Sequence, residues 1–485
     1  MAVIQYAGEY IIEECKLCTV GGHELDLSDL VASINIYEDI FQNAISGDIS
    51  FADTNNILGT ARVVGQEKLK LKLSTPQEGD PDSRNLTINF TSSPLHVYKI
   101  NSKVNVNDRT VAFNLSFTTP ELIRNNNVRV QKAYEGEPAD KMVKDIFRDE
   151  ELLASKKELY YEETSNFFKI IGSNQRPFEF INSLARRCLS KEYDESPTFL
   201  FYETVKGYFF RTIDGMMDRK NPKMVYRELT PNADQDTRNN PALILNNILH
   251  YDVVSTTDTI SSTRSGLYGS KLVLLDIFNK DYKEYDFDYL ENFEKDKHVD
   301  EFNAYGSARA PIASEIIDDY NKKISEYPDS VLHVQMIERD TVDGLYNPAF
   351  SNTSQSIDYM GTDKWLQRRK SRIAALNSAV TLRLRVPGNT TLQAGDLIGV
   401  NLMKKNSGTS ATDLDPTLSG RYLVRKLHHM FSRGDGLYKH EILLECIRDT
   451  VSEAFPSDGV ACQTSGPMTE EIIPLGSADP GDVTY

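Results

Sequence analysis

Strict alternation of apolar and polar residues is the feature of this sequence that most narrows what it can fold into. Residues 67–73, "EKLKLKL", place Leu69, Leu71 and Leu73 on one side of the chain and lysines on the other. Residues 109–117, "RTVAFNLSF", do the same with Val111, Phe113, Leu115 and Phe117. Residues 380–386, "VTLRLRV", repeat it with Leu382, Leu384 and Val386. A side-chain period of two is that of an extended strand. One buried and one wet face imply antiparallel sheet or barrel. "ISGD", "VNDR", "VPGN", "QAGD" and "SRGDG" supply turns between such strands. The expected class is mainly β (α+β), with strands over 69–73, 109–117, 380–386, 421–431 and 437–447.

Helical spacing is confined to a few segments. "EPADKMVKDIFRD" (137–149) carries Met142, Val143, Ile146 and Phe147 on one stripe, with Pro138 in the first turn. "RPFEFINSLARRCLS" (176–190) aligns Phe178, Ile181, Leu184, Ala185 and Cys188. A third helix is expected over 363–378, with Trp365, Leu366, Ile373 and Leu376 inward and Thr362 or Asp363 as cap. A more polar fourth is expected over 313–327. The order of elements is not a βαβ alternation.

The chain also repeats itself. "VGQEKLKLKL" (64–73) precedes "VYKINSKVNVNDRTVAFNLSFTTPEL" (97–122), and "AGDLIGVNL" (394–402) precedes "VRKLHHMFSRGDGLYKHEILLECIRDT" (424–450). Each half runs from a glycine and an acidic residue into a strand, then a strand opening V-x-K-[IL], a polar turn and a long alternating return. The turn aspartate falls eleven residues after the valine in both, Val97 to Asp108 and Val424 to Asp435. A duplicated module is the expectation.

Composition sets the outer limits. At about 150 residues per domain, 485 residues suffice for roughly three. No run of about 18 apolar residues occurs, and "MAVIQYAGEYIIEE" lacks the basic and apolar regions of an export signal. Five cysteines (15, 18, 188, 446 and 462) are too few and scattered for a disulfide framework, which fits a reducing compartment. The net charge of −17 disfavours sequence-independent nucleic-acid binding. The densest basic run, "LQRRKSR" (366–372), reads as one face of a helix. Residues 449–485 hold seven acidic residues and no Lys or Arg, interrupted by Pro and Gly. That composition reads as an extended tail needing a partner surface.

Residues that could carry chemistry have structural readings. Cys15 and Cys18 form a C-x-x-C with His23 nearby, but "YIIEECKLCTV" reads as a strand. On a strand, residues three apart face opposite ways, and no second ligand pair follows. Adjacent His428 and His429 diverge for the same reason. "DYKEYDFDYLENFEKD" (281–296) lacks the glycine and spacing of an EF-hand loop. It reads as an acidic surface loop, with Tyr282, Tyr285, Phe287 and Tyr289 suited to a protein contact. No P-loop, G-x-S-x-G, H-E-x-x-H or glycine fingerprint occurs. No catalytic, cofactor-binding or metal-binding residue is nominated, and no enzyme is signposted.

Three stretches resemble one family. "DLVASINIYEDIFQNAISGDISFADTNNILGTARVVGQEKLKLKLSTP" (29–76) resembles the opening of baseplate hub proteins of contractile-tailed bacteriophages. "RPFEFINSLARRC" (176–188) is similar to their inter-barrel helix. "VPGNTTLQAGDLIGVNL" (386–402) with "LSGRYLVRKLHHMF" (418–431) is similar to their second barrel. No single motif is diagnostic; their joint order carries the likeness.

The resemblance implies two tail-tube-like β-barrels, over 1–122 and over 239–290 with 377–450. It places an α+β domain at 123–238 between them, an insertion with helices at 291–376 and a tail at 451–485. It further implies a homotrimeric ring at the virion tail baseplate, assembled in the bacterial host cytoplasm. Six barrels would meet the hexameric tail tube on one face and the trimeric central spike on the other, beside the wedge proteins. The genome would cross the lumen without specific binding, and an acidic wall would suit that passage. No cofactor, metal or membrane contact is implied. The rival readings are a hub-associated peptidoglycan hydrolase and the hub of a related contractile secretion device.

Overall fold

In the computed structural model, residues 7–54, 63–75, 87–107, 110–228, 244–255, 258–276, 280–300, 309–311, 322–336, 361–378, 380–404, 414–415, 417–434 and 437–451 are described. The first strands are β1 (Ile11–Cys18), β2 (Glu24–Asp26), β3 (Val31–Asp39), β4 (Ser46–Asp53), β5 (Lys68–Ser74), β6 (Thr87–Asn89), β7 (Leu95–Asn107) and β8 (Thr110–Thr118). A middle region holds β9 (Ala133–Pro138), β10 (Leu159–Tyr161), β11 (Phe167–Ile171), β12 (Phe199–Thr204) and β13 (Gly207–Thr212). Then follow β14 (Met224–Glu228), β15 (Asn247–Ile248), β16 (His250–Ser255), β17 (Gly269–Asp276), β18 (Asp281–Asp288) and β19 (Leu332–Met336). The last are β20 (Val380–Pro387), β21 (Leu397–Asn401), β22 (Gly420–Gly434) and β23 (Leu437–Arg448).

The fold is mainly antiparallel β, as the alternation requires. Leu69, Leu71 and Leu73 are fully buried on β5, and Leu382, Leu384 and Val386 on β20. Burying each such side chain is worth about 1.5–3 kcal/mol, so a slip of one residue would expose a whole face. Two cores result. One gathers Leu17, Ile34, Ile49, Leu71, Leu115 and Phe117. The other gathers Tyr226, Leu384, Ile398, Val424, Ile442 and Leu444.

The sequence repeat is a structural repeat. The order β3-β4-β8-β7-β5 recurs as β16-β20-β23-β22-β21, with every neighbouring pair antiparallel. The V-x-K motif gains a physical meaning here. In both modules the ladder slips at its middle residue, between Val97 and Lys99 and between Val424 and Lys426, a β-bulge that turns the strand. The valine amide then makes the same bond in each: Val97 N–H donates to the Glu67 carbonyl and Val424 N–H to the Asp396 carbonyl, both at 2.9 Å. The modules differ at their flanks, since β1 joins β5 antiparallel whereas β14 joins β21 parallel.

Three expected helices form, with Ala139–Arg148 and Pro177–Ala185 packing in the middle core. The third begins as a π-type turn, Asp363–Arg368, continues as Arg369–Ser378, and has no side-chain cap from Thr362. The arginines of its basic run turn inward, while Lys370 is exposed. Arg372 is buried against Asp449, with Nη1 to Oδ2 2.6 Å, and Arg368 is buried against Asp296. Arg369 donates to the Ala185, Pro197 and Phe199 carbonyls. The reason is satisfaction of buried acceptors, a demand of the tertiary fold that composition does not disclose.

Two further expectations need correction. Most of the helix expected over 313–327 lies outside the described residues, as do Asp108, Asp435, Cys462 and the tail from 452. Its described end, 322–327, is a turn, and Pro328 follows, which disfavours helix in the residue before it. The acidic stretch 281–296 is no loop but β18, paired with β17, followed by the short helix Tyr289–Phe293. Phe287 and Tyr289 turn into a core with Leu267 and Tyr268, leaving Tyr282 as the exposed aromatic of the four named.

The duplicated turn can be tested through its glycines. Gly65 and Gly395 each precede the acidic turn segment with φ of 86°. Alanine at either position should cost on the order of 1–2 kcal/mol from backbone strain. Gly395→Ala should cost more, because its Cβ would lie 2.5 Å from the Tyr202 hydroxyl, whereas Gly65 has no neighbour within 3.4 Å. Urea denaturation of the two variants checks this order; equal midpoints would contradict it.

Candidate functional site

The C-x-x-C offers no site. Cys15 is buried in the first core opposite Leu71, and its thiol is pushed up to about 12 by burial. Cys18 faces the other way, half-buried, with Sγ toward Glu24 Oε1 at 3.8 Å. Burial raises it too, so neither favours the thiolate a metal or redox reaction needs. Replacing both, Cys15→Ala with Cys18→Ser, should leave the folded chain within about 3 kcal/mol of its original stability in urea denaturation, the cost of trimming one buried thiol. A bound zinc lost on that replacement, measured by elemental analysis, would overturn this reading.

The surface that distinguishes this chain is the seam between its modules. β22 pairs with β23 along its length and with β21 at its start. From Lys426 to Ser432 its other edge pairs antiparallel with β3, from Asp39 to Ser33. That ladder fuses both modules into one 15-stranded sheet. The two modules therefore share one continuous sheet.

Side chains seal the seam on both faces. On one, the rings of His428 and Tyr37 lie 4.3 Å apart, and His428 Nε2 meets Asn35 Oδ1 at 2.9 Å. Asn35 in turn donates to Asp48 at 2.9 Å. On the other face Phe431 of the second module enters the first core, its ring 5.0 Å from Tyr10. Behind it, His429 and His440 form a buried pair with Nδ1 and Nε2 3.0 Å apart, and the His440 ring stacks on Phe431 at 3.9 Å. His428 and His429 do diverge, but pairing of His429 with His440 was invisible in sequence, because it depends on strand register.

Glu38, on β3 inside the seam, ties a third region in. It is fully buried and accepts from the Val205 and Ala394 amides, both at 2.8 Å. Val205 follows β12 in the middle region, and Ala394 lies in the turn before β21. Burial pushes the Glu38 carboxyl up to about 7, with the two amides opposing. A raised carboxyl can mark general-acid chemistry. Here both oxygens are engaged by backbone donors, so the group acts as an interdomain clamp.

Two edges of the same modules are open. β7 pairs with β5 only at His96 and Leu95, so beyond the bulge its outer edge has no strand partner among the described residues. Tyr98, Ile100 and Val104 along it are 49%, 39% and 54% exposed. β16 pairs with β20 alone among the described residues, and Val253 and Val254 on it are 41% and 49% exposed.

Comparison with known proteins gives likenesses of overall fold. No protein-family model matches the sequence, and neither does any curated protein. Among solved structures the chain is similar to the tail protein from Neisseria meningitidis MC58, with TM-score 0.49, 11% identity, and coverage of 91% of this chain and 97% of that one. It is similar to the 43 kDa tail protein of prophage MuSo2 from Shewanella oneidensis, with TM-score 0.48, 10% identity, and coverage of 90% and 98%. A type VI secretion system component from E. coli gives TM-score 0.40 and 8% identity over 92% of this chain and 78% of that one. No described helix is long and apolar enough to cross a membrane.

The histidine pair makes the seam sensitive to acid. Burial pushes His429 down to about 3, neighbouring His428 adding to the effect, and holds His440 well below the ordinary range, with His429 adding. The unfolded chain takes up protons below about 6.5 whereas the folded pair does not. This stability is present above about pH 6.5 and lost as pH falls toward the folded values, at up to about 1.4 kcal/mol per pH unit for each imidazole. The raised Glu38 carboxyl slopes the opposite way over the same range, so the test is a difference: from pH 7 to 4 the chain should lose stability faster than the double variant His429→Leu with His440→Leu, and equal slopes would refute the assignment.

Proposed function

We propose that this chain is a non-enzymatic structural subunit of a phage tail, the hub of its baseplate. In this role three copies form a ring that adapts a hexameric tail tube to a trimeric spike. The observation that carries the reading is the duplicated module, repeated down to one bulge and one backbone hydrogen bond. A subunit containing two equivalent modules converts threefold into near-sixfold symmetry, because three copies present six equivalent walls. The order of the motifs over 29–76, 176–188 and 386–431, with its resemblance to hub proteins, supports the same reading.

The chemistry of the molecule fits a scaffold. Its buried charges are engaged structurally: Lys157 with Glu121 and Glu203, Arg448 with Asp300, Arg372 with Asp449. Such pairs fix domain geometry more than they add stability. The net charge of −17 per copy suits a channel through which nucleic acid passes without adhering. Binding energy comes from long backbone ladders and buried area.

The test is the native mass of the full chain, alone and mixed with the spike protein of the same particle. Three copies are expected in at least the mixture. A strict monomer under both conditions would refute the hub.

A further inference from the structure

We infer that a cleft between the helix Pro177–Ala185 and the helix Arg369–Ser378 binds an acidic peptide segment of a partner chain, one with aliphatic side chains beside its carboxylates. The inference does not rest on the hub reading, because it concerns a single copy and what docks on it. The cleft has a volume of about 510 Å³ and lies where three regions of the fold meet. Ligand clefts of about 300–1,000 Å³ form preferentially at such junctions. Leu366, Arg369, Lys370 and Ile373 line one side, spaced i, i+3, i+4 and i+7, so a single helical stripe has apolar ends and a cationic middle. Asn182 and Arg186 line another, at the end of the helix Pro177–Ala185. The turn after β3 contributes Ile40 and Phe41, the latter 37% exposed.

The charge of the cleft is opposite to that of the chain. Arg186, Arg369 and Lys370 line it, and no carboxylate does among the described residues, in a molecule of net charge −17. The side chains of Arg186 and Lys370 make no hydrogen bond or ion pair among the described residues. Arg369 is mostly buried and donates through Nη1 to the Ala185, Pro197 and Phe199 carbonyls, at 3.2, 2.6 and 3.1 Å. Nη2 also donates to the Phe199 carbonyl, at 3.1 Å. That leaves Nε–H and the second Nη2–H without an acceptor, and these two form the fork that takes a carboxylate side-on. Burial pushes the guanidinium down to about 10, with the like charge of Arg186 adding to the effect. On the same helix Arg368 and Arg372 each have an aspartate, whereas Arg369 has none. A buried cation without a counter-ion is costly, and an incoming carboxylate removes that cost.

The remaining groups favour a peptide over a bare anion. Asn182 and Asn43 exchange amide hydrogen bonds, at 2.8 and 3.1 Å. Asn182 keeps one N–H and one oxygen lone pair, the donor and acceptor that a peptide unit matches. The indole N–H of Trp365, another lining residue, is buried and has no acceptor. Ile40, Phe41, Leu366 and Ile373 offer apolar contact that a small inorganic anion cannot use.

Trp365 is the sole tryptophan of the chain, so its fluorescence reports on this cleft. The full chain is titrated with an acetylated, amidated peptide of sequence EELLI, and with its QQLLI and KKLLI counterparts. EELLI should change the emission saturably, with QQLLI about tenfold weaker and KKLLI inactive, and added salt should weaken EELLI. The double variant Arg186→Glu with Lys370→Glu changes two partnerless side chains, so its urea midpoint should hold while it loses EELLI and takes KKLLI. Equal binding of EELLI and QQLLI, or the same emission change from inorganic phosphate, would overturn the inference. So would an unchanged Trp365 emission, whether or not a fluorescently labelled EELLI binds elsewhere by anisotropy. None of these outcomes bears on the number of copies, which native mass decides.

Discussion

The antiparallel ladder between β22 and β3 is the contact on which the rest of this molecule depends. It joins strands separated by nearly the whole folded chain and turns two modules with separate cores into one wall. Phe431 crosses the boundary to fill the first core, and Glu38 fastens the wall to the middle region through two amides. A backbone ladder sets distance and direction rigidly, because every residue contributes a donor and an acceptor that must be paired. The angle between the modules is thereby fixed.

Charge plays a supporting part in this architecture. Arg372, Arg368 and Arg448 are withdrawn from solvent and paired with Asp449, Asp296 and Asp300. Asp449 lies at the end of β23, so these contacts tie the last strand of the second module to the insertion helix. The Arg372 guanidinium and His298 hold the Asp449 carboxyl well below its ordinary range despite complete burial. Buried ionic groups of this kind specify one packing, since any displaced arrangement leaves a charge without a partner.

Much of this was legible in the sequence. The period-two segments are strands, the repeat spacing marks equivalent hairpins, and Cys15 and Cys18 face opposite ways as residues three apart on a strand must. What stayed hidden has a common cause. The inward turn of Arg368, Arg369 and Arg372, the burial of Phe287 and Tyr289, and the His429–His440 pair all depend on which elements meet across long separations. A basic run on a helix and an aromatic run in an acidic stretch look alike whether they face water or a neighbour.

The sequence by itself determined the local conformations and the duplication, because alternation, turn residues and spacing act through a few consecutive residues. Only the tertiary structure decided which edges of the two modules are joined and which are left open. Edge pairing is made by main-chain N–H and C=O groups that every strand presents alike, so side-chain pattern sets the face a strand buries but leaves its lateral partner undetermined.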